Sequence, residues 1–273
     1  MNHSLEILHR TAGAYGVCHH FSTVGFQYRI IQRTSHKSTY LSTVQVHSPF
    51  NPNLPNGYGL QLADAMGIKP NLGPIFTYDV TDHPDPRVVT RDPELMMALA
   101  TLSKGNVQLG DNPENTDIDL VSTCCNVNGE IIGPEKSIGP LSSFYHTVQD
   151  VGSDEMVWRT FSTFESLQSD IILSYATDSE SIISTDDLVA GNNIYYSPKL
   201  RQCFSYDANL TIPSSTSMDE KMQLWYTSLS QDGVAILGDI SKIVPMSSKR
   251  FESISYNKDS LRIVFSYGFC VGS

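Results

Sequence analysis

The second half of the chain repeats one pattern, in which strand-like segments alternate with turns about every ten residues. Each segment combines β-branched and aromatic residues, and polar residues separate one segment from the next. This cadence is typical of an antiparallel sandwich, in which each strand returns beside a neighbour through a short turn. The pattern predicts an antiparallel β-sandwich over residues 141–273. The segments are MVWRTFSTF, DIILSYAT, NNIYYSP, RQCFSYDANLTIP, KMQLWYTSL, GVAILGD, FESISYN and SLRIVFSYG.

The aromatic residues of this half allow two interpretations. Trp158 and Trp225 lie in strand-like segments, where they can fill a core or form a flat surface on which a sugar ring stacks. Sandwich cores use such residues in large numbers, so we expect both tryptophans to be buried. Tyr195 and Tyr196 are adjacent in one strand, so one of them must point outward, and the sequence does not say which.

The first half contains one segment in which several signals agree on a helix. Pro93 suits a first helical position after an Asp92 cap, and Gly105 is a natural stop. The sequence therefore predicts a buried helix over residues 93–104. Its apolar side chains recur at helical spacing, at Leu95, Met96, Leu99 and Leu102.

A short strand is predicted after this helix, and it ends in an acidic residue. Val107 and Leu109 alternate with polar neighbours, and the chain then turns at Asp111 and Asn112. A helix leading into a strand with an acid at its tip is the order of elements in an α/β barrel. Because barrel chemistry lies at the carboxyl ends of the strands, Asp111 and Asn112 are candidate pocket residues.

Two upstream segments, FQYRIIQR and STYLSTVQVH, also predict strands from their alternation and their β-branched and aromatic residues. The second leads into SPFNPNLPNG, a loop rich in proline and asparagine. If Thr43–His47 is a barrel strand, this loop lies on the catalytic face. A short helix is predicted at Gly59–Met66, with Gly67 as its cap.

Two stretches resemble glycoside hydrolases of the α-galactosidase and raffinose-synthase type and their uncharacterised animal relatives. LATLSKGNVQLGDNPENTDIDLV, followed by NVNGEII, resembles the last barrel strand and the segment after it, and GDISKIVPMSSKRFESI is similar to the closing β-sandwich. The resemblance implies an α+β fold, with a partial (β/α) barrel segment in residues 1–140 and an antiparallel β-sandwich domain in residues 141–273. It also implies a carbohydrate ligand, held in a pocket to which Asp111, Asn112, His47 and Asn51 contribute.

The catalytic pair of such enzymes is not found in the sequence. Glycoside hydrolysis needs two carboxyl groups flanking the scissile bond. The resemblance places Asn51 near the family's acid, and an amide cannot deliver a proton. Residues 1–45 contain no Lys-x-Asp motif. We therefore expect a glycoside-hydrolase-like C-terminal region that contributes part of a sugar-binding pocket without catalytic activity on its own.

Two other hypotheses stay open. The chain could be a non-catalytic carbohydrate-binding or structural and interaction protein, or a complete glycosidase with an altered mechanism. A half-barrel would expose strand edges and apolar surface, so we expect self-association or pairing with a chain that completes the barrel. An assay for released sugar and a measurement of glycan binding separate these hypotheses.

The charge distribution excludes two classes of partner. The net charge is −11, and residues 1–60 carry four basic residues against one acidic residue, so the remainder carries −14. Such an acidic body repels the phosphates of nucleic acid and an anionic membrane surface. The sequence also lacks any run of about 18 apolar residues, which a membrane span requires.

No cofactor or metal site is predicted. The sequence has neither a P-loop nor a Gly-x-Gly-x-x-Gly motif. The Cys-His-His cluster at residues 18–20 has no second half-site, and the acidic cluster at residues 79–85 lacks the spacing of a calcium loop. Five cysteines are an odd, sparse set, which argues against a disulfide framework. Cys124 and Cys125 are predicted to be small buried side chains.

Overall fold

The structure is a computed structural model. It describes residues 20–23, 26–33, 41–47, 57–65, 67, 69–70, 72, 74–77, 92–141, 156–215, 221–231, 233–257 and 260–266. Asn51 and the acidic cluster at residues 79–85 lie outside the described residues, as do residues 18 and 19 of the Cys-His-His cluster.

Within these residues the chain is rich in β-structure and has few helices. The α-helices are α1 Gly57–Ala65, α2 Pro93–Leu102 and α3 Ile118–Ser122. None of these described helices has the length and apolar character that crossing a bilayer requires. The strands are β1 His20–Thr23, β2 Phe26–Arg33, β3 Leu41–His47, β4 Lys69–Pro70, β5 Gly139–Pro140, β6 Met156–Phe164, β7 Leu167–Tyr175, β8 Ser181–Ser184, β9 Ile194–Ser197, β10 Gln202–Ser205, β11 Asn209–Ile212, β12 Met222–Ser228, β13 Ser230–Gln231, β14 Val234–Ala235, β15 Phe251–Asn257 and β16 Ser260–Phe265.

A six-stranded sheet organises the second half. Its strand order is β10-β9-β12-β7-β6-β5, and every neighbouring pair in it is antiparallel. The β6–β7 hairpin keeps one register from the pair Met156 and Tyr175 to the pair Phe164 and Leu167. The predicted β-rich, antiparallel character of the fold is confirmed.

Apolar side chains cover both faces of this sheet. On one face Trp225 and Ile172 pack against β8 and β11, which pair with each other as a separate two-stranded sheet. We call this contact between two sheets the sandwich core. On the other face Trp158 and Tyr226 pack in the helix-side core, which also contains Leu99 of α2. Because both faces are covered, β7 contains the continuous apolar run IIL instead of a strict alternation.

The aromatic residues follow from this arrangement. Trp158 and Trp225 are both buried, which confirms the core interpretation for them. Tyr195 is buried in the sandwich core, and Tyr196 is half-buried against the helix-side core. Neither tyrosine points into open solvent, since each face of the six-stranded sheet has a cover.

Helix α2 begins where the sequence predicts, and α3 begins with the same kind of cap. Asp92 Oδ1 accepts the N–H of Leu95 at 3.0 Å, and Pro93 occupies the first turn of α2. Asp117 Oδ1 accepts the N–H of Leu120 at 3.0 Å at the start of α3. Each carboxylate satisfies a backbone donor that has no partner inside its helix.

The end of α2 differs from the prediction. The helix stops at Leu102, and the left-handed residue that follows is Lys104, with φ of 58°, whereas Gly105 was the predicted stop. The Lys104 ammonium group contacts Asp64 of α1 at 3.1 Å, which helps to hold this conformation. Gly105 is required for a different reason, because a Cβ there would lie 2.4 Å from the carbonyl oxygen of Pro70.

The barrel segment expected in residues 1–140 is not confirmed. Strand β3, which contains Thr43–His47, pairs antiparallel with β2, whereas the strands of an α/β barrel pair in parallel. Only the short contact between β3 and β4 is parallel among the described strands. The strand expected at residues 107–109 is reduced to an isolated bridge between Leu109 and Ile75, beside which the Gly110 N–H donates to the carbonyl of Ile75 at 2.7 Å.

Two predicted strands also have different lengths in the structure. The segment RQCFSYDANLTIP forms β10 in the six-stranded sheet and β11 in the two-stranded sheet with β8, so the chain passes from one sheet to the other at residues 206–208. Tyr206 is buried at this crossing, and its N–H donates to the carbonyl of Asn193 at 3.0 Å. In GVAILGD only Val234–Ala235 is a strand. The last two predicted strand segments pair with each other as the β15–β16 hairpin.

The helix-side core joins residues from both halves of the chain. Leu60 of α1 and Leu99 of α2 share it with Trp158 of β6 and with Val244. The division into domains at residues 1–140 and 141–273 stays a prediction.

Candidate functional site

Asp111 lies in the turn after α2, and its carboxylate binds Thr77. Oδ1 and Oδ2 accept the backbone N–H of Thr77 at 3.0 and 3.2 Å, and Thr77 Oγ1 donates to Oδ2 at 2.6 Å. Thr77 Oγ1 also accepts the N–H of Asp117 at 2.8 Å. The Asp111 carboxylate therefore ties its own turn to residues 74–77 and to the start of α3.

This bonding limits what Asp111 can offer to a ligand. A carboxylate has about four acceptor positions, and the contacts with Thr77 use most of them. Asn112 is exposed, and its carbonyl accepts the N–H of Asn115 at 2.8 Å. His47 ends β3, of which the structure gives the backbone, and Asn51 lies outside the described residues. The pocket formed by these four residues stays a prediction.

A cleft of about 200 Å³ opens between β12 and the loop 240–243. We call it the β12 cleft. Its floor consists of alternate side chains of one strand, Met222, Leu224 and Tyr226. An apolar floor with a few polar groups at the rim is the usual composition of a small-ligand site. The rim carries Glu94, Lys199, Ser241 and Lys242.

The floor of the β12 cleft is fixed by Tyr226. This side chain is fully buried, and its hydroxyl lies 3.2 Å from the carbonyl oxygens of both Lys242 and Ile243. Burial, with a smaller effect of the charge on Asp239, raises the pKa of Tyr226 above its ordinary value. The hydroxyl therefore stays protonated and holds the loop 240–243 against β12.

The rim is held by a second set of contacts. Asp239 accepts a hydrogen bond from Arg250 Nε, and it also accepts the N–H and the hydroxyl of Ser241 at 3.1 and 2.6 Å. Burial alone raises the Asp239 pKa, but the hydrogen bonds from Ser241 and Arg250 and the charge of Arg250 outweigh it, so the pKa lies below its ordinary value. Lys242 Nζ donates to the carbonyl of Ser122 at 2.6 Å. The rim is thus positioned before any ligand arrives.

Asp170, on the sandwich-core face of β7, is a fully buried carboxylate whose acceptor positions are all occupied. It accepts Arg159 Nε at 2.8 Å, a second guanidinium nitrogen of Arg159, the N–H of Val189 at 3.0 Å and Thr227 Oγ1 at 2.6 Å. A carboxylate with about four acceptor positions has none left for a ligand here. The group stabilises the sheet and the loop that contains Val189.

The adjacent cysteines are free thiols. Cys124 is buried, and the Cys124 and Cys125 sulfurs lie 3.1 and 3.5 Å from the carbonyl oxygen of Val121. Burial, followed by the proximity of Cys125, raises the pKa of Cys124 to about 12. Among the residues that the structure describes, no three His, Cys, Asp or Glu side chains come together as a metal site would need.

No protein-family model matches the chain, and no curated protein matches it. The relation to glycoside hydrolases therefore stays a prediction from the two stretches of sequence that carry it.

Sequence reasoning did not identify the β12 cleft as a site. Its residues come from distant segments, such as Glu94 in α2, Lys199 after β9 and Met222 in β12, and no local motif joins them. One signal was available, because the loop 240–243 lies inside GDISKIVPMSSKRFESI, the second stretch that resembles glycoside hydrolases.

Proposed function

We propose that the chain binds a small carbohydrate in the β12 cleft and does not hydrolyse glycosides on its own. The observation that carries this proposal is the composition of the cleft, with an apolar floor from β12 and hydrogen-bonding groups at the rim. A sugar ring has apolar C–H faces and hydroxyl groups around its edge, so it requires both kinds of surface. Hydroxyl groups donate and accept, and Glu94, Ser241 and the lysines of the rim offer partners of each type.

The volume of the cleft sets the size of the ligand. Sites for drug-sized molecules enclose roughly 300–1,000 Å³. The β12 cleft measures about 200 Å³, which suits a single sugar ring better than an oligosaccharide. Its loop 240–243 lies in a stretch that resembles the sandwich of glycoside hydrolases, and this supports the choice of a sugar over other small polar ligands.

The carboxyl groups around the cleft support a non-catalytic role. Retaining and inverting hydrolases both use a pair of carboxyl groups, one of them protonated by a raised pKa. Glu94 is the one carboxylate among the described residues that line the cleft. Asp239 directly precedes Ile240, which lines the cleft, but the Asp239 carboxylate is bound to Arg250 and Ser241. Its pKa is lowered, whereas a general acid needs a raised pKa.

Saturation-transfer NMR with a panel of monosaccharides, followed by calorimetry with the best one, tests this proposal. Glu94→Ala removes the rim carboxylate, and a hydrogen bond to a charged group contributes about 1.5–3 kcal/mol, so we expect affinity to fall by about 10- to 100-fold. Glu180→Ala is the matched control, because it removes an exposed carboxylate from the turn between β7 and β8, and we expect no change in affinity.

Three outcomes contradict the proposal. Absence of binding by the parent chain to every sugar at about 10 mM removes the carbohydrate function. Release of sugar from a glycoside removes the non-catalytic part. If Asp111→Asn abolishes binding while Glu94→Ala leaves it unchanged, the ligand binds at the predicted pocket of Asp111, Asn112, His47 and Asn51 instead of the β12 cleft.

A further inference from the structure

The β15–β16 hairpin has one apolar face and one largely polar face. Its register pairs Ile254 with Ile263 and Tyr256 with Leu261, and paired residues of antiparallel strands point to the same side. A register shift after Phe251 brings Phe251 opposite Phe265, on the same face. The polar face carries Ser253 and Ser255 from β15 and Arg262 and Val264 from β16.

The protein core covers only half of the apolar face. The β15 half packs inside, where Phe251 and Ile254 contact Phe164 and Met246. The β16 half lies at the margin of this core, where the Phe265 ring contacts the Phe251 ring at a centroid distance of 5.4 Å, and it stays partly exposed. The exposed fractions on β16 are 48% for Leu261, 39% for Ile263 and 37% for Phe265.

Strand β16 is also an edge strand. The sheet that contains it has two strands among the described residues, so one row of β16 backbone groups faces away from β15. Such an edge is a template for pairing with another strand. The apolar pattern of β16 is symmetric about Ile263, with Leu261 two residues before it and Phe265 two residues after it. Antiparallel pairing of two copies about Ile263 therefore places Leu261 opposite Phe265 of the second copy, and Ile263 opposite its own counterpart.

Charge favours this strand as the place where two copies meet. The whole chain carries a net charge of −11, which makes most approaches between copies repulsive. Residues 260–266 contain Arg262 and no acidic residue. The strand itself therefore adds no repulsion between carboxylates when two acidic molecules meet along β16.

We infer that two copies of this chain associate by antiparallel pairing of β16 with β16 across a two-fold axis at Ile263. The pairing extends each two-stranded sheet into one of four strands, and it brings the apolar side chains of the two β16 strands beside each other on one face. One strand pair and three apolar side chains per copy bury less than the ~1,200 Å² of a standard interface. The dimer is consequently weak and depends on concentration.

Sedimentation velocity over a range of concentrations measures this equilibrium. Ile263→Lys places two like charges opposite each other at the two-fold axis, and such a juxtaposition costs several kcal/mol, so the dissociation constant should rise by at least ~10-fold. Ile182→Lys is the matched control, since Ile182 is a strand residue of β8 that is 62% exposed. Circular dichroism and thermal unfolding show whether each variant remains folded, and the control should dimerise as the parent does.

A covalent test does not depend on the strength of the dimer. Residues opposite each other in antiparallel strands have Cα atoms about 4.5–5.5 Å apart, which a disulfide can bridge. Ile263→Cys, oxidised by diamide, should give a dimer whose peptide map contains a bond from Cys at position 263 to the same position of the second copy. Ile182→Cys should give no corresponding bond.

Each of the following results overturns the inference. The first is a parent that stays monomeric up to ~1 mM together with the absence of a cross-link at position 263. The second is a parent that dimerises while Ile263→Lys leaves the dissociation constant unchanged, or while Ile182→Lys raises it equally, because another surface then forms the contact.

Discussion

Thr227 is the residue whose substitution tests the described packing most directly. The hydrogen-bonded register between β12 and β7 ends at the pair Tyr226 and Ile171, one residue before Thr227. Beyond that pair, the Thr227 side chain links β12 to Asp170 of β7 in place of backbone hydrogen bonds between the two strands. Its hydroxyl donates to Asp170 Oδ2 at 2.6 Å, and it accepts the N–H of Asp170 at 3.0 Å and Asn192 Nδ2 at 2.7 Å. One donor and two acceptor positions are all that a hydroxyl has, so Thr227 is fully satisfied.

Thr227→Val keeps the shape of the side chain and removes these three contacts. Loss of a hydrogen bond to the charged Asp170 carboxylate costs about 1.5–3 kcal/mol, and leaving the buried Asp170 N–H without its partner costs about 1–3 kcal/mol more. Asn192 is half-buried, so water can replace its lost contact. We expect the free energy of unfolding to fall by about 3–5 kcal/mol, out of the ~5–15 kcal/mol of a typical domain.

Urea unfolding followed by far-UV circular dichroism measures this difference. Thr211→Val is the matched control, because Thr211 is exposed on β11 and the chemical change is identical. We expect the control to lie within ~0.5 kcal/mol of the parent. If Thr227→Val also lies within ~1 kcal/mol of the parent, the hydroxyl does not serve as the centre of a buried network, and the reasoning about Asp170 is wrong.

Two further predictions follow from the shifted pKa values. Burial raises the Cys124 pKa to about 12, whereas Cys203 is exposed. Iodoacetamide at pH 8 should therefore modify Cys203 roughly 1,000-fold faster than Cys124. Peptide mass mapping follows both rates, and equal rates would contradict this prediction. The folded-state pKa of Asp239 lies below its ordinary value despite burial, so its ionised form contributes stability above about pH 4 that is lost as the pH falls through the folded pKa. The parent should therefore exceed Asp239→Asn in urea midpoint at pH 7, and this advantage should shrink at pH 3; a constant difference between the two pH values would refute the assignment.

Local signals in the sequence predicted local structure well. The cap at Asp92 acts within three residues, so the sequence contains all that it requires. Most strand segments were also found, because alternation and turn residues are local properties. The end of α2 was predicted at Lys104 but lies at Leu102. Gly105 is explained by the close approach of the Pro70 carbonyl, which no local pattern reveals.

Other features depend on contacts between distant residues. RQCFSYDANLTIP was predicted as one strand, but it divides at Tyr206 because the chain passes from the six-stranded sheet to the sheet of β8 and β11. Asp111 was singled out as a candidate pocket residue, and that role stays a prediction. Its partner Thr77 is 34 positions upstream, so the sequence alone could not show the contact between them. The β12 cleft is assembled from separate segments in the same way, so only the folded chain defines it.

The burial of the aromatic residues constrains how the proposed site would work. Trp158 and Trp225 belong to opposite cores, and Tyr226 is the one aromatic side chain among the described residues lining the cleft, where it is fully buried. A bound sugar would therefore gain little from stacking, and its affinity would depend on rim hydrogen bonds that compete with water, each contributing about 1 kcal/mol. Single sites of this kind bind weakly. Pairing through β16 would place two such clefts on one particle, and two linked weak sites bind a repeating glycan far more tightly than either site does alone when their spacing matches the repeat. The two proposals thus support each other physically, although each has its own test.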